Sequence, residues 1–173
     1  AYFENSKAKS ATIEQPFFIT KSTGKKIELV HQPHENYGIG GSFTLVDGMK
    51  GNTSKFGRDW LGFWGKDMNA TIDLGKTETI SKISINTLSS EGSWIYYPKS
   101  IGILVSKDGE NYIPITIVSS KEIHENKGKI VVEFDKQNVQ FIKVIAENNG
   151  IISHGNPGAG SNSWLFVDEI SVE

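Results

Sequence analysis

The sequence predicts an all-β fold, an antiparallel β-sandwich, and three observations predict it. Short runs rich in Ile, Val, Thr and aromatic residues recur from residue 27 to the end of the chain. Clusters of Gly, Asp and Asn separate the runs, and no window carries an amphipathic helical repeat of useful length. Short and long connections alternate, as they do where strands cross a body antiparallel to one another.

Residues 1–16 are polar and mixed and end at Pro16, so residues 1–24 are expected to be a linker or the tail of a preceding domain. The packed body is expected over residues 25–173. IELV (27–30) and FTLV (43–46) read as its first two strands. In GRDWLGFWG (57–65), period two puts Trp60, Gly62 and Trp64 on one face and Leu61 and Phe63 on the other. Both faces are apolar, as for a strand between layers or at a rim, with Trp60 and Phe63 assigned to the core. TIDL (71–74), ISKISINTL (80–88), IGILVS (101–106), YIPITIV (112–118), KIVVEF (129–134), VQFIKVIAE (139–147) and WLFVDEISVE (164–173) complete the set.

Gly75-Lys76-Thr77, Lys107-Asp108-Gly109-Glu110 and Asp135-Lys136-Gln137-Asn138 read as tight charged turns. The segments 47–59, 89–99, 119–128 and 148–162 are long. Parity then gathers the long loops at one end of the sandwich, with Arg58, Trp94, Tyr96, Tyr97, His124 and His154 among them. Function is expected there, since loops on a rigid β scaffold commonly carry binding sites.

Composition narrows the chemistry. Net charge is −2, from 18 basic and 20 acidic residues, and Arg58 is the sole arginine, so no basic footprint points to nucleic acid or to an anionic membrane. With no cysteine, disulfides, zinc–thiolate sites and thiol catalysis are excluded. No stretch approaches 18 apolar residues, so neither a spanning helix nor membrane insertion is expected. The chain opens at Ala1 with no basic-then-apolar leader and reads as a processed chain or a piece of a longer one. The glycine-rich SHGNPGAGSNS (153–163) precedes a strand rather than a helix, which removes the amides a phosphate cradle needs. Strand alternation sends Asp168 and Glu169 to opposite faces, which excludes them as a glycosidase pair.

Taken together, LVDGMKGNT, ATIDLG, LVSKDGENYIPI and the closing WLFVDEISVE resemble the discoidin, or coagulation factor five/eight type C, family. NYGIGGSFTLVDG, WLGFWGKDMNATIDLG, GSWIYYPKS and NPGAGSNSWLFVDEI are similar to modules at the ends of bacterial β-N-acetylhexosaminidases of the chitobiase type. The resemblance runs over residues 25–173. It implies an eight-stranded jelly roll related to family 32 carbohydrate-binding modules, with a structural Ca2+ and a sugar site on the loops at one end.

On the positions that match, the resemblance implies Asp47 and Glu169 as calcium ligands, with Asn52, Thr53 or the carbonyls of Gly48–Gly51 completing an oxygen shell. A pyranose needs a flat apolar surface flanked by hydrogen-bonding groups, which Trp and Tyr supply at low rotamer cost. Trp94 and Tyr96, or Trp64, would stack on the sugar, and Arg58, His154 and Asn156 would bind hydroxyls. Two alternatives stay open: Arg58 pairs with Asp59, and Trp94 plugs the end of the sandwich. The implied function is a non-catalytic module for N-acetylhexosamine- or galactose-type glycans on a secreted, periplasmic or cell-surface bacterial glycoside hydrolase. As an isolated domain it would be a monomer whose partners are glycan and parent catalytic domain. The alternative is a structural module that packs on a catalytic domain or another protein and binds no sugar.

Overall fold

In a computed structural model, residues 16–53 and 56–173 are described. The strands are β1 (Lys26–Leu29), β2 (Leu61–Trp64), β3 (Met68–Leu88), β4 (Ser100–Ser106), β5 (Ile113–Ser119), β6 (Lys129–Glu147) and β7 (Trp164–Val172). All pairings are antiparallel, in the order β2-β7-β3-β6-β4-β5, with β1 added beside β3. Two short helices, α1 (Phe56–Asp59) and α2 (Ser120–Glu125), lie in connections. Among the described residues no helix is long and apolar enough to cross a membrane.

The all-β antiparallel expectation holds, but β3 and β6 are longer than the sequence suggests. Residues 75–77 and 135–138 do not reverse the chain. Each lies inside a continuous strand where the β3–β6 register shifts, between Asp73 and Glu78 and between Ile80 and Lys82. Gly75, at φ +82, carries the bend in β3. The paired strands fold the sheet over on itself into a sandwich. Residues 68–74 and 139–147 join β1, β4 and β5 in a front sheet. Residues 78–88 and 129–137 join β2 and β7 in a back sheet.

One apolar core fills the space between the layers. Ile72, Ile101, Ile103 and Ile142 from the front and Phe63, Ile83, Ile85 and Ile170 from the back are all buried in it. A second cluster of Trp60, Leu88, Ile95 and Phe166 closes one end, so Trp60 and Phe63 are core as expected.

Two further expectations change. FTLV is not a strand: Gly41–Val46 is a 3-10 helix, and it inserts Leu45 and Val46 into the core. The packed body also begins before residue 25. Phe18 N–H donates to the Gly48 carbonyl, Lys21 N–H to Val172, and the buried Ser22 hydroxyl to Ile170. These bonds knit residues 18–24 onto the Gly48 turn and the end of β7, so this stretch is part of the sandwich rather than a linker, while residues 1–15 of the expected linker lie outside the described residues.

Candidate functional site: an aromatic pole and a buried acidic pair

Because the bends lie midway along β3 and β6, both ends of each strand return to the same pole. Segments 89–99, 119–128 and 148–162 meet there. Trp94 N–H and carbonyl bond to Glu91 and Trp164, Tyr96 N–H to Trp164, and Lys99 N–H to Glu147. Tyr97 stands edge-on to His124 of α2, with ring centroids 5.1 Å apart. Segment 47–59 behaves differently: residues 48–51 lie beside mid-β7, and only its far end reaches the pole.

The pole is built on three tryptophans. Trp64 and Trp164 are cross-strand partners of β2 and β7, with centroids 4.7 Å apart. Trp94 stacks on Trp64 at 6.2 Å and 28°. It occupies the left-handed region at φ +62 and leaves 39% of its surface exposed. Gly158 presses against it; a Cβ there would come within 2.6 Å of the indole. His34 and Tyr37 complete the ring, edge-on to Trp164 at 5.1 and 5.0 Å.

The residues expected to bind sugar divide accordingly. Trp94 and Trp64 come together. Tyr96 does not present a platform: it is buried, and its hydroxyl donates to the Pro157 carbonyl at 2.9 Å, bracing the glycine-rich loop. His154 and Asn156 sit on the exposed tip of that loop, where Asn156 donates to the Ser153 carbonyl. Arg58 lies in α1, and its side chain falls outside the described residues. Trp164, His34 and Tyr37 are added by the structure. Period two could have found Trp164, which shares a face with Phe166. Nothing local marks His34 or Tyr37, since they reach the pole only through the 31–42 segment laid across β2 (His34 N–H to Gly62 carbonyl, 2.8 Å).

The acidic end of β7 corrects a second expectation. Between the pairs Ile85–Ile170 and Thr87–Val167, Asn86 faces two residues of β7, a bulge. Strand alternation is therefore interrupted, and Asp168 and Glu169 both turn to the 47–51 loop. Gly51 N–H and the Asn86 amide donate to Asp168 Oδ2 at 2.6 and 2.7 Å, and Gly48 N–H donates to Glu169 Oε2 at 3.2 Å. The other oxygens, Asp168 Oδ1 and Glu169 Oε1, are buried and have no hydrogen-bond partner among the described residues.

Burial pushes the Glu169 carboxyl up to about 8; the Gly48 bond opposes this, and the charges of Asp47 and Asp168 add to it. Burial likewise raises Asp168 to about 6, against its bonds from Gly51 and Asn86. Asp47 is raised too, by burial first, while its Oδ1 accepts from Met49 N–H. Asn52 and Thr53 are exposed; the Asn52 carbonyl accepts from the Trp60 indole, on the aromatic side of the loop. Among the described residues no three acidic or histidine side chains converge as a ready metal site. A cation here would have to add backbone or hydroxyl oxygens to Glu169, Asp168 and Asp47. The donor set is all oxygen, and two of its buried carboxylate oxygens have no hydrogen-bond partner among the described residues, which fits a hard divalent ion such as calcium.

A family model described as the F5/8 type C domain matches residues 29–165. No curated protein is detectably similar in sequence. Among solved structures, the lectin domain of lectinolysin complexed with Lewis B antigen superposes with a TM-score of 0.61 at 17% identity, covering 90% of this chain and 96% of that one. Chitosan-binding module 1 of a chitosanase/glucanase from Paenibacillus sp. IK-5 gives 0.57 at 13% identity, covering 90% and 98%. A Clostridium perfringens CBM32 module in complex with GalNAc-β-1,3-galactose gives 0.56 at 17%, covering 85% and 93%. At these identities the likeness speaks to fold.

Proposed function

Since this chain belongs to the F5/8 type C domain family, we propose that it is a non-catalytic carbohydrate-binding module whose ligand docks on the tryptophan pole. The observation that carries this reading is Trp94, a half-open indole held in a left-handed conformation between Trp64 and Gly158. A side chain fixed at backbone cost and left partly bare is a preorganised apolar surface. The C–H face of a pyranose fits such a surface, His154 and Asn156 sit on the exposed tip of the loop that packs Gly158 against it, and Arg58 lies in α1. The solved neighbours named above include modules with bound glycans, which supports the same reading.

The finer proposal is an N-acetylhexosamine- or galactose-type ligand, on a module appended to an extracellular glycoside hydrolase of the β-N-acetylhexosaminidase type. It rests on the resemblance of residues 25–173 to such modules. A single shallow site of this kind binds with a Kd of roughly 1 mM, about −4 kcal/mol, and attachment to an enzyme raises its effective concentration on a polymer.

Calcium is the second element of the proposal. Glu169 and Asp168, with Asp47, would hold it, and the ion would bring positive charge to the two buried carboxylate oxygens that have no hydrogen-bond partner among the described residues. In this chain its task is to fasten the 47–51 loop to β7.

Isothermal titration with galactose, N-acetylgalactosamine, N-acetylglucosamine and their oligomers tests the glycan reading. Saturable binding that Trp94→Ala lowers at least tenfold, with the far-ultraviolet circular dichroism of the fold retained, is the expected result. Absence of binding by any of them, or binding indifferent to Trp94→Ala, overturns it in favour of a packing module.

A further inference from the structure

The tryptophan pole is longer than one sugar needs. Its rings follow one another from the 89–99 segment to the 31–42 segment. Trp94 lies 6.2 Å from Trp64, Trp64 4.7 Å from Trp164, and Trp164 5.1 Å from His34, centroid to centroid. Each step is comparable to the length of one pyranose. Trp64, Trp164 and His34 are half-buried and Trp94 is 39% exposed, whereas Trp60 and Phe166 of the cluster they pack against keep only 2% and 1%. The row therefore stays partly open along its whole length, where rings that only plug the sandwich are covered. Both ends run out to open surface. At one, the contact on Trp94 is Gly158, which has no side chain to raise a wall. At the other, Glu35 and Asn36 are exposed. Polar groups accompany the rings. His34 Nδ1 accepts from Asn36 N–H, which leaves the ring proton on Nε2 to donate. The Asn162 carboxamide lies against Gly65, within 2.7 Å of where a Cβ would stand, on the flank of Trp64.

We propose that the pole binds an interior stretch of an unbranched glycan, with successive sugars over Trp94, Trp64 and Trp164, instead of capturing one terminal sugar. On the glycan reading of the same pole, on which this rests, the ligand class becomes a linear polysaccharide. A terminal sugar is held by a concave site that encloses it on several sides. A row of rings open at both ends gives each sugar one apolar face and lets the chain run on. Every further sugar that finds a ring adds contact without a new loss of translational freedom, so affinity grows with length until the row is full. The platform is fixed before the ligand arrives: Trp64 and Trp164 are cross-strand partners, and His34 caps the short helix Glu35–Tyr37. His34 and Asn162 are then the hydroxyl-reading residues along the row, and His154 and Asn156 serve only its Trp94 end.

Isothermal titration with β-1,4-linked oligomers of N-acetylglucosamine and of galactose, from one sugar to four, tests this. In one series affinity is expected to rise at least tenfold from one sugar to three and to change little from three to four. O-methylation of both terminal sugars should leave the affinity of the trisaccharide unchanged. His34→Asn removes the ring at the far end and keeps a capping acceptor. It should lower trisaccharide affinity at least threefold more than that of the single sugar, with the far-ultraviolet circular dichroism of the parent. A trisaccharide that binds no tighter than one sugar, or that loses its binding on end-methylation, overturns the proposal and leaves the glycan reading standing. So does a gain with length that His34→Asn leaves undiminished. Absence of binding in both series overturns the proposal, and with N-acetylgalactosamine equally silent the glycan reading falls with it.

Discussion

Trp94 and Glu169 show how a single residue sets the character of each site. Trp94 stands at φ +62, where a side chain with a Cβ pays roughly 1–2 kcal/mol. Trp94→Gly would relieve that strain while deleting the indole, so the two roles come apart. Melting is expected to change little and glycan affinity to fall at least tenfold, about 1.4 kcal/mol; calorimetry and a thermal melt read both. Gly158→Ala should likewise weaken binding, since its methyl would have to displace the indole.

Glu169 and Asp168 give a pH dependence whose sign follows from burial. Their folded pKa values, about 8 and about 6, lie above the ordinary carboxyl values of 4.5 and 3.8. Between those limits the folded state binds more protons than the unfolded one, so stability falls as pH rises. In chelator, the melting temperature is expected to decline from about pH 5 to about pH 8 and then level off. Added calcium competes with those protons and should raise the melt most at the alkaline end. Glu169→Gln should flatten the chelator profile and remove the calcium response. A flat parent profile in chelator would refute the account of the pair.

At the scale of elements, the pattern of apolar runs made the strands legible, and their bends were not. TIDL and ISKISINTL were visible as separate strands because Gly75-Lys76-Thr77 has the composition of a turn; only pairing with β6 on both sides of the register shift shows that the strand continues through it. The same limit hid the bulge at Asp168 and Glu169. A bulge is a mismatch of count between two strands far apart in sequence, and β7 alone carries no mark of it. Trp60 and Phe63 were legible as core because both faces of their segment are apolar. Tyr96 was misassigned because a tyrosine in a glycine- and proline-bounded loop reads the same whether its ring faces water or, as here, its hydroxyl braces Pro157.

Local signals that do not depend on distant strands are easier to weigh. Ser119 and Glu122 form a complete capping box on α2, and Ser119→Ala is expected to cost about 1 kcal/mol in urea unfolding. Gly128, at φ +76, lies where a Cβ would sit 2.3 Å from the Thr87 carbonyl and 2.5 Å from Tyr97. Gly128→Ala should therefore cost more than the cap, roughly 1–3 kcal/mol, in the same measurement.

The molecule as a whole separates its tasks along one axis. Tryptophans occupy one pole, the acidic pair sits midway along β7, and residues 18–24 are sewn to the other end of that strand. Cation and glycan are therefore expected to bind with little mutual influence on contact, but both depend on loop 47–59, which touches Glu169 at Gly48 and the aromatic floor at Trp60. Chelation should lower glycan affinity only to the extent that it loosens that loop, and titrations with and without calcium measure the difference.

The stitching of Lys21 and Ser22 to Ile170 and Val172 has a mechanical consequence. Residues 21 and 172 therefore stand side by side, about 27 Å of β7 away from the tryptophans. A pull applied at those two residues would part the few bonds between them one after another, as a zip opens, before it reached the indoles. The fastening at Gly48, through Phe18, is the one by which such a pull would be felt in loop 47–59.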